Sequence, residues 1–86
     1  MVDNDYVRKI ILSEIEPKLS KFHIRATEVK DNFDLLETGV LDSLDFLELI
    51  EILESKHKLK IDFSELIDPE ISRFDVLIRG IVEQNS

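Results

Sequence analysis

The chain has no cysteine, and only two glycines and two prolines in 86 residues. Without cysteine there is no disulfide framework and no thiolate metal site. With so few glycines and prolines there are few breaks, which suits a handful of helices better than many short strands. No apolar run approaches the ~20 residues that a membrane-crossing helix needs. Positive charge is also scarce: 11 Lys and Arg stand against 19 Asp and Glu, for a formal net charge of −8. Phosphates would repel such a chain, so nucleic acid is not an expected partner. Basic proteins are, because the field assists encounter. The start Met1-Val2-Asp3-Asn4-Asp5 is acidic, with no basic n-region. We therefore expect no signal peptide and a cytoplasmic location.

What is present is enough for one core. Hydrophobic residues make up 43% of the chain, and its length leaves no room for a second domain, so residues 1–86 are read as one unit. Asp3 or Asn4 can cap a first helix, in which Tyr6, Val7, Ile10, Ile11, Ile15 and Leu19 recur at helical steps. Pro17 lacks an N–H and crowds the preceding turn, which predicts an end to regular helix near Glu16. Residues 20–41 then form a long connection. Its Phe22, Ile24, Val29, Phe33, Leu35 and Leu36 lack a sustained period and are expected to pin it over the bundle, with a turn or two within Ala26 to Leu36. Lys56, Lys58 and Lys60 alternate with His57, Leu59 and Ile61; a lone strand would have nothing to pair with, so a helix terminus with favourable basic charge and then an extended connector are predicted. Asp62-Phe63-Ser64-Glu65 is a capping pattern for a short turn through Ile67, and a short third helix is expected between Phe63 and Ile71. Ser72 can cap the last helix, with Asp75 at N3. Phe74, Leu77, Ile78, Ile81 and Val82 supply its apolar face. Gly80 within it costs about 1 kcal/mol relative to alanine.

The most informative stretch is Gly39-Val40-Leu41-Asp42-Ser43-Leu44-Asp45-Phe46-Leu47-Glu48-Leu49. It ends the loop on a glycine and opens a second helix, predicted from Ser43 to His57. Gly39 suits a backbone geometry that other residues resist. Asp42 is an N-cap, and Asp45 three residues later completes an acidic capping box. Phe46, Leu49, Ile50 and Leu53 share the core face of this helix. Leu44, Glu48 and Glu51 lie on the opposite side, with Leu47 and Glu54 towards its edge. No basic residue interrupts Asp45, Glu48, Glu51 and Glu54 before Lys56.

The segment Leu36-Glu37-Thr38-Gly39-Val40-Leu41-Asp42-Ser43-Leu44-Asp45 resembles the phosphopantetheine attachment motif of acyl carrier proteins. The wider resemblance, in the order and spacing of helices, covers Tyr6 to Val82. It implies an all-α fold: a small four-helix bundle of acyl-carrier type, with a long first loop and a short third helix. It implies that Ser43, between Asp42 and Leu44, carries 4'-phosphopantetheine taken from coenzyme A. A partner surface of Leu44, Asp45, Leu47, Glu48 and Glu51 is also implied. The implied partners are a phosphopantetheinyl transferase, an acyl- or aminoacyl-activating ligase, and a downstream acyltransferase or synthase. The carrier itself would be a monomer and not an enzyme. Two residues, Val40 and Leu41, separate the glycine from the aspartate, where fatty-acid carriers usually have one. In this the chain is similar to stand-alone carriers of the D-alanyl or aminoacyl type.

Other readings of the same residues stand beside this one. Asp-Ser-Leu alone is an ordinary helix start, and the acidic positions could be a solvated face. The alternative function is then an unmodified acidic helical adaptor with the carrier fold. An ion-binding regulatory protein is a weaker alternative. Residues 31–42 fail as a calcium loop, because Phe33 and Leu35 replace oxygen ligands and Leu36 replaces the glycine. His23 and His57 have no ligand partners at metal spacing and are expected at the surface. Ser43 has no nearby histidine to activate it as a nucleophile.

Overall fold

A computed structural model describes residues 2–66 and 68–86. It contains three α-helices, α1 (Asn4–Lys21), α2 (Ser43–Ser55) and α3 (Phe74–Gln84). Two 3₁₀ turns, Ala26–Glu28 and Phe63–Glu65, lie in the connections. No strand is present among the described residues, only an isolated antiparallel bridge between Asp34 and Arg73. The all-helical expectation therefore holds, but the α-helix count among the described residues is three. Where a short third helix was expected there is one 3₁₀ turn, and Ile67 lies outside the described residues. Local side-chain bonds explain why the segment does not wind further. Asp62 takes the Ser64 N–H and hydroxyl at 3.1 and 2.6 Å. Asp68, where the following proline disfavours helical backbone, takes the Glu70 N–H at 2.8 Å.

Asp3 caps α1 through the Tyr6 N–H at 2.8 Å. The buried stripe is Val7, Ile11, Ile15 and Leu19, one residue every four. Tyr6 lies exposed beside it and Ile10 half-buried. The helix does not stop near Glu16; it runs through Pro17 to Lys21. An interior proline costs ~3 kcal/mol, but its φ is compatible with the helix and Pro17 is exposed. Continuing the helix keeps Leu19 on the stripe, and burying one leucine contributes ~1.5–3 kcal/mol. The true end is a Schellman motif around His23, whose φ is +57°. Ile24 N–H reaches the Leu19 carbonyl at 2.9 Å and His23 N–H reaches Ser20 at 3.1 Å.

The long connection is tied to the start of α3. Leu35 N–H donates to the Ser72 carbonyl at 2.9 Å, while Phe74 and Asp75 N–H donate to Phe33 and Asp31 carbonyls at 2.8 and 2.9 Å. Asp34 is the hub. Its carboxylate accepts from Leu36 N–H, Glu37 N–H and the Ser72 hydroxyl at 3.0, 2.9 and 2.8 Å. Ser72 is thus not the cap of α3, contrary to expectation. The N-cap is Arg73, without a side-chain cap bond, because loop carbonyls already satisfy the first N–H groups. Gly39 turns the loop at φ +80°, as its position suggested. Val29, Leu35, Val40 and Leu41 are buried, so the loop contributes directly to the core.

The second helix ends at Ser55, short of the predicted His57. The chain turns off at Lys58, whose φ is +57°, with the Leu59 N–H on the Leu53 carbonyl at 3.1 Å. Beyond that turn the connector carries no helix up to Phe63. The carboxamide of Asn85 pairs with the Lys60 N–H and carbonyl at 2.8 and 2.9 Å, and that of Gln84 pairs likewise with Asp62. Two side-chain amides at the end of α3 thereby stand in for a neighbouring strand. Leu59 and Ile61 turn inwards and are buried. Gly80 is closely packed: a Cβ there would fall 2.8 Å from Leu66 Cδ2, and that leucine side chain would have to shift.

Burial pushes the Asp34 carboxyl up, but hydrogen bonds from Glu37, Ser72 and Leu36 outweigh it and hold it below the ordinary aspartate value. Its contribution to stability is complete above the unfolded value of ~3.9 and lost as pH falls through the lower folded value. Asp34→Ala should destabilise the protein by roughly 2–3 kcal/mol near neutral pH. In urea titrations, the gap between wild type and variant should narrow as pH drops below about 4.

Candidate functional site

Ser43 is the first residue of α2 and is exposed. The capping box read from the sequence is formed. Asp42 accepts the Asp45 N–H at 2.7 Å, and Asp45 accepts the Asp42 N–H at 3.3 Å. Asp42, not Ser43, is therefore the cap. This leaves the Ser43 hydroxyl without a hydrogen-bond partner among the described residues. The backbone N–H groups of Ser43 and Leu44 are likewise open, as expected in a first helical turn. An open hydroxyl beside open N–H groups at the positive end of a helix fits an attached phosphate.

Phe46, Leu49, Ile50 and Leu53 are buried, which orients α2 as predicted. Leu44 is 66% exposed and Leu47 50% exposed. Glu48, Glu51 and Glu54 are also exposed. Phe63, from the second 3₁₀ turn, packs against Phe46 with ring centroids 6.3 Å apart and remains partly exposed. The sequence pattern did not signal that third apolar group at the α2 head. Asp45 differs from the other acidic residues of this helix. Its side chain is only 21% exposed and receives Lys18 Nζ at 3.1 Å. The Lys18 ammonium, aided by the Asp42 N–H, holds the Asp45 carboxyl below its ordinary value.

The other end of α2 is also tied to α1. Glu14 accepts from Lys56 Nζ at 2.9 Å and lies 2.8 Å from His57 Nε2. These two bonds, His57 first, hold the Glu14 carboxyl below its ordinary value. His57 is therefore half-buried against a partner and not at the surface, whereas His23 is exposed. Twelve residues of helix lie between Ser43 and Lys56 of this cluster, roughly 20 Å at 1.5 Å per residue. Between the two ties lies a groove of about 200 Å³ with Ile15, Leu41, Leu49 and Ile52 among its lining. A larger cleft, about 620 Å³, lies between α1 and the long loop and shares no residue with α2. Among the described residues, no group of three His, Asp or Glu side chains could hold a metal ion. No helix is long and apolar enough to cross a membrane.

Comparison with family models, with curated proteins and with solved structures finds no match to this chain.

The two leucine environments on α2 predict opposite responses to truncation. Leu44→Ala should change stability by no more than about 0.5 kcal/mol. Leu49→Ala should cost roughly 2–5 kcal/mol. Equilibrium unfolding in urea measures both, and an early-melting Leu44→Ala protein would show that Leu44 packs inwards.

Proposed function

We propose that this protein is a carrier that holds an activated acyl or aminoacyl group and presents it to partner enzymes. The observation that carries this reading is the Asp42-Ser43-Leu44 triplet, in which an unbonded serine hydroxyl stands at the head of a capped helix. The group attached there would be 4'-phosphopantetheine from coenzyme A, whose thiol holds cargo as a thioester. The open N–H groups of Ser43 and Leu44 would face its phosphate. Asp42 keeps the hydroxyl free by doing the capping itself. The fold on this reading is the carrier bundle, with its short third helix reduced to the 3₁₀ turn at Phe63–Glu65.

Leu44 and Leu47, surrounded by Glu48, Glu51 and Glu54, make a surface suited to basic partners with an apolar contact. Those partners would be a phosphopantetheinyl transferase, an acyl- or aminoacyl-activating ligase and a downstream acyltransferase or synthase. The spacing of Val40 and Leu41 favours the stand-alone aminoacyl type. The carrier would work as a cytoplasmic monomer, with catalysis left to its partners.

Incubation with coenzyme A and a broad-specificity phosphopantetheinyl transferase should add one arm, seen by intact mass. Ser43→Ala should abolish the addition and leave stability within about 0.5 kcal/mol, since Ser43 makes no cap bond. Wild-type protein left unmodified by several transferases would favour the adaptor. Affinity for the transferase should also fall as salt rises, because screening shortens charge attraction to ~8 Å at physiological ionic strength. Binding indifferent to salt would rule out electrostatic docking on α2.

A further inference from the structure

We propose that Lys18 is a positioning residue for modification of Ser43, acting through Asp45; the proposal rests on the carrier reading. Lys18 stands on α1, 25 residues before Ser43, and no local pattern connects the two. Its Nζ lies 3.1 Å from Asp45 Oδ1. The second oxygen of Asp45 accepts the Asp42 N–H at 3.3 Å, and Asp42 in turn accepts the Asp45 N–H at 2.7 Å. One ammonium group therefore holds the carboxylate that closes the capping box around Ser43. The α2 head is pinned to a neighbouring helix and not merely capped from within.

The tie is also electrostatic. An arriving phosphate meets two carboxylates, Asp42 and Asp45, within two residues of the reacting hydroxyl. Lys18 offsets the second of them. Glu14 and Glu48 line the same groove as Lys18 and Asp45, but Glu14 is engaged with Lys56 and His57. The far end of α2 thus has its own tie, and removing Lys18 releases the head alone.

Lys18→Met keeps the side-chain length and removes the charge. In the unmodified variant, amide hydrogen exchange at Asp45 and Phe46 should accelerate about tenfold, with the amides of α3 unchanged. The kcat of arm transfer should fall about five- to tenfold, with KM within about twofold of wild type. Lys18→Arg should restore both. Unchanged exchange at the α2 head, or equal acceleration in all three helices, overturns the proposal. So does a change confined to KM, which would make Lys18 a contact for the transferase. A wild-type protein that takes no arm overturns the carrier reading itself. A modified wild type matched by Lys18→Met overturns this proposal alone.

Discussion

Among the described residues, α1 is the helix that both other helices approach closely along their backbones. Its stripe of Val7, Ile11, Ile15 and Leu19 is buried, and α2 and α3 each pack against α1 without close backbone approach to one another. A three-helix arrangement of that kind leaves apolar surface that the helices alone do not close. The same hydrophobic cluster accordingly includes Leu35, Val40 and Leu41 from the long loop, and Leu59, Ile61 and Leu66 from the connector. In a chain of this size, burial is hard to come by. Loops that would otherwise be solvent-facing connections become part of the core.

Burying loop residues creates a second requirement, since their backbone polar groups must find partners. Asp34 meets part of it for the long loop, accepting from the Leu36 and Glu37 N–H groups and the Ser72 hydroxyl, while the N–H groups of the buried Val29, Leu35 and Leu41 donate to the Ala26, Ser72 and Leu35 carbonyls. The Asp34 carbonyl accepts the Thr38 hydroxyl at 2.7 Å. For the connector, Asn85 and Gln84 do the same with their carboxamides. No buried side-chain polar atom is left without a partner among the described residues. The loop that delivers Gly39 to Ser43 is held by the same bonds that open α3, so the geometry at the head of α2 depends on a distant helix start.

Charge is arranged with a similar economy around α2. Lys18 reaches the acidic head of α2, and Glu14, one turn earlier on α1, accepts from the basic tail. Both ties agree with the direction of the helix dipole. The remaining acidic groups, Glu48, Glu51 and Glu54, stay in solvent. Together with Leu44 and Leu47 they leave one face of α2 uncommitted to the fold.

Much of this was legible in local pattern. The capping box of Asp42 and Asp45, the buried set of Phe46, Leu49, Ile50 and Leu53, the exposure of Leu44, and the turn at Gly39 all follow from spacing within a dozen residues. Such features depend on groups that are neighbours along the chain, where helix geometry alone decides what meets what. The pattern failed where distant groups compete. Pro17 reads locally as a helix end, yet the helix runs on through it, and burial of Leu19 offsets much of its cost. Ser72 reads as a cap, yet Asp34 claims its hydroxyl. Asp45 reads as one more acid on a solvated face, yet Lys18, 27 positions away, takes it inwards. Local order along the chain was determined by sequence, because the deciding bonds span three or four residues. Which carboxylates stay in solvent, and which are consumed in holding the fold, was decided only in three dimensions, because each such choice depends on a cation or hydroxyl delivered by another element.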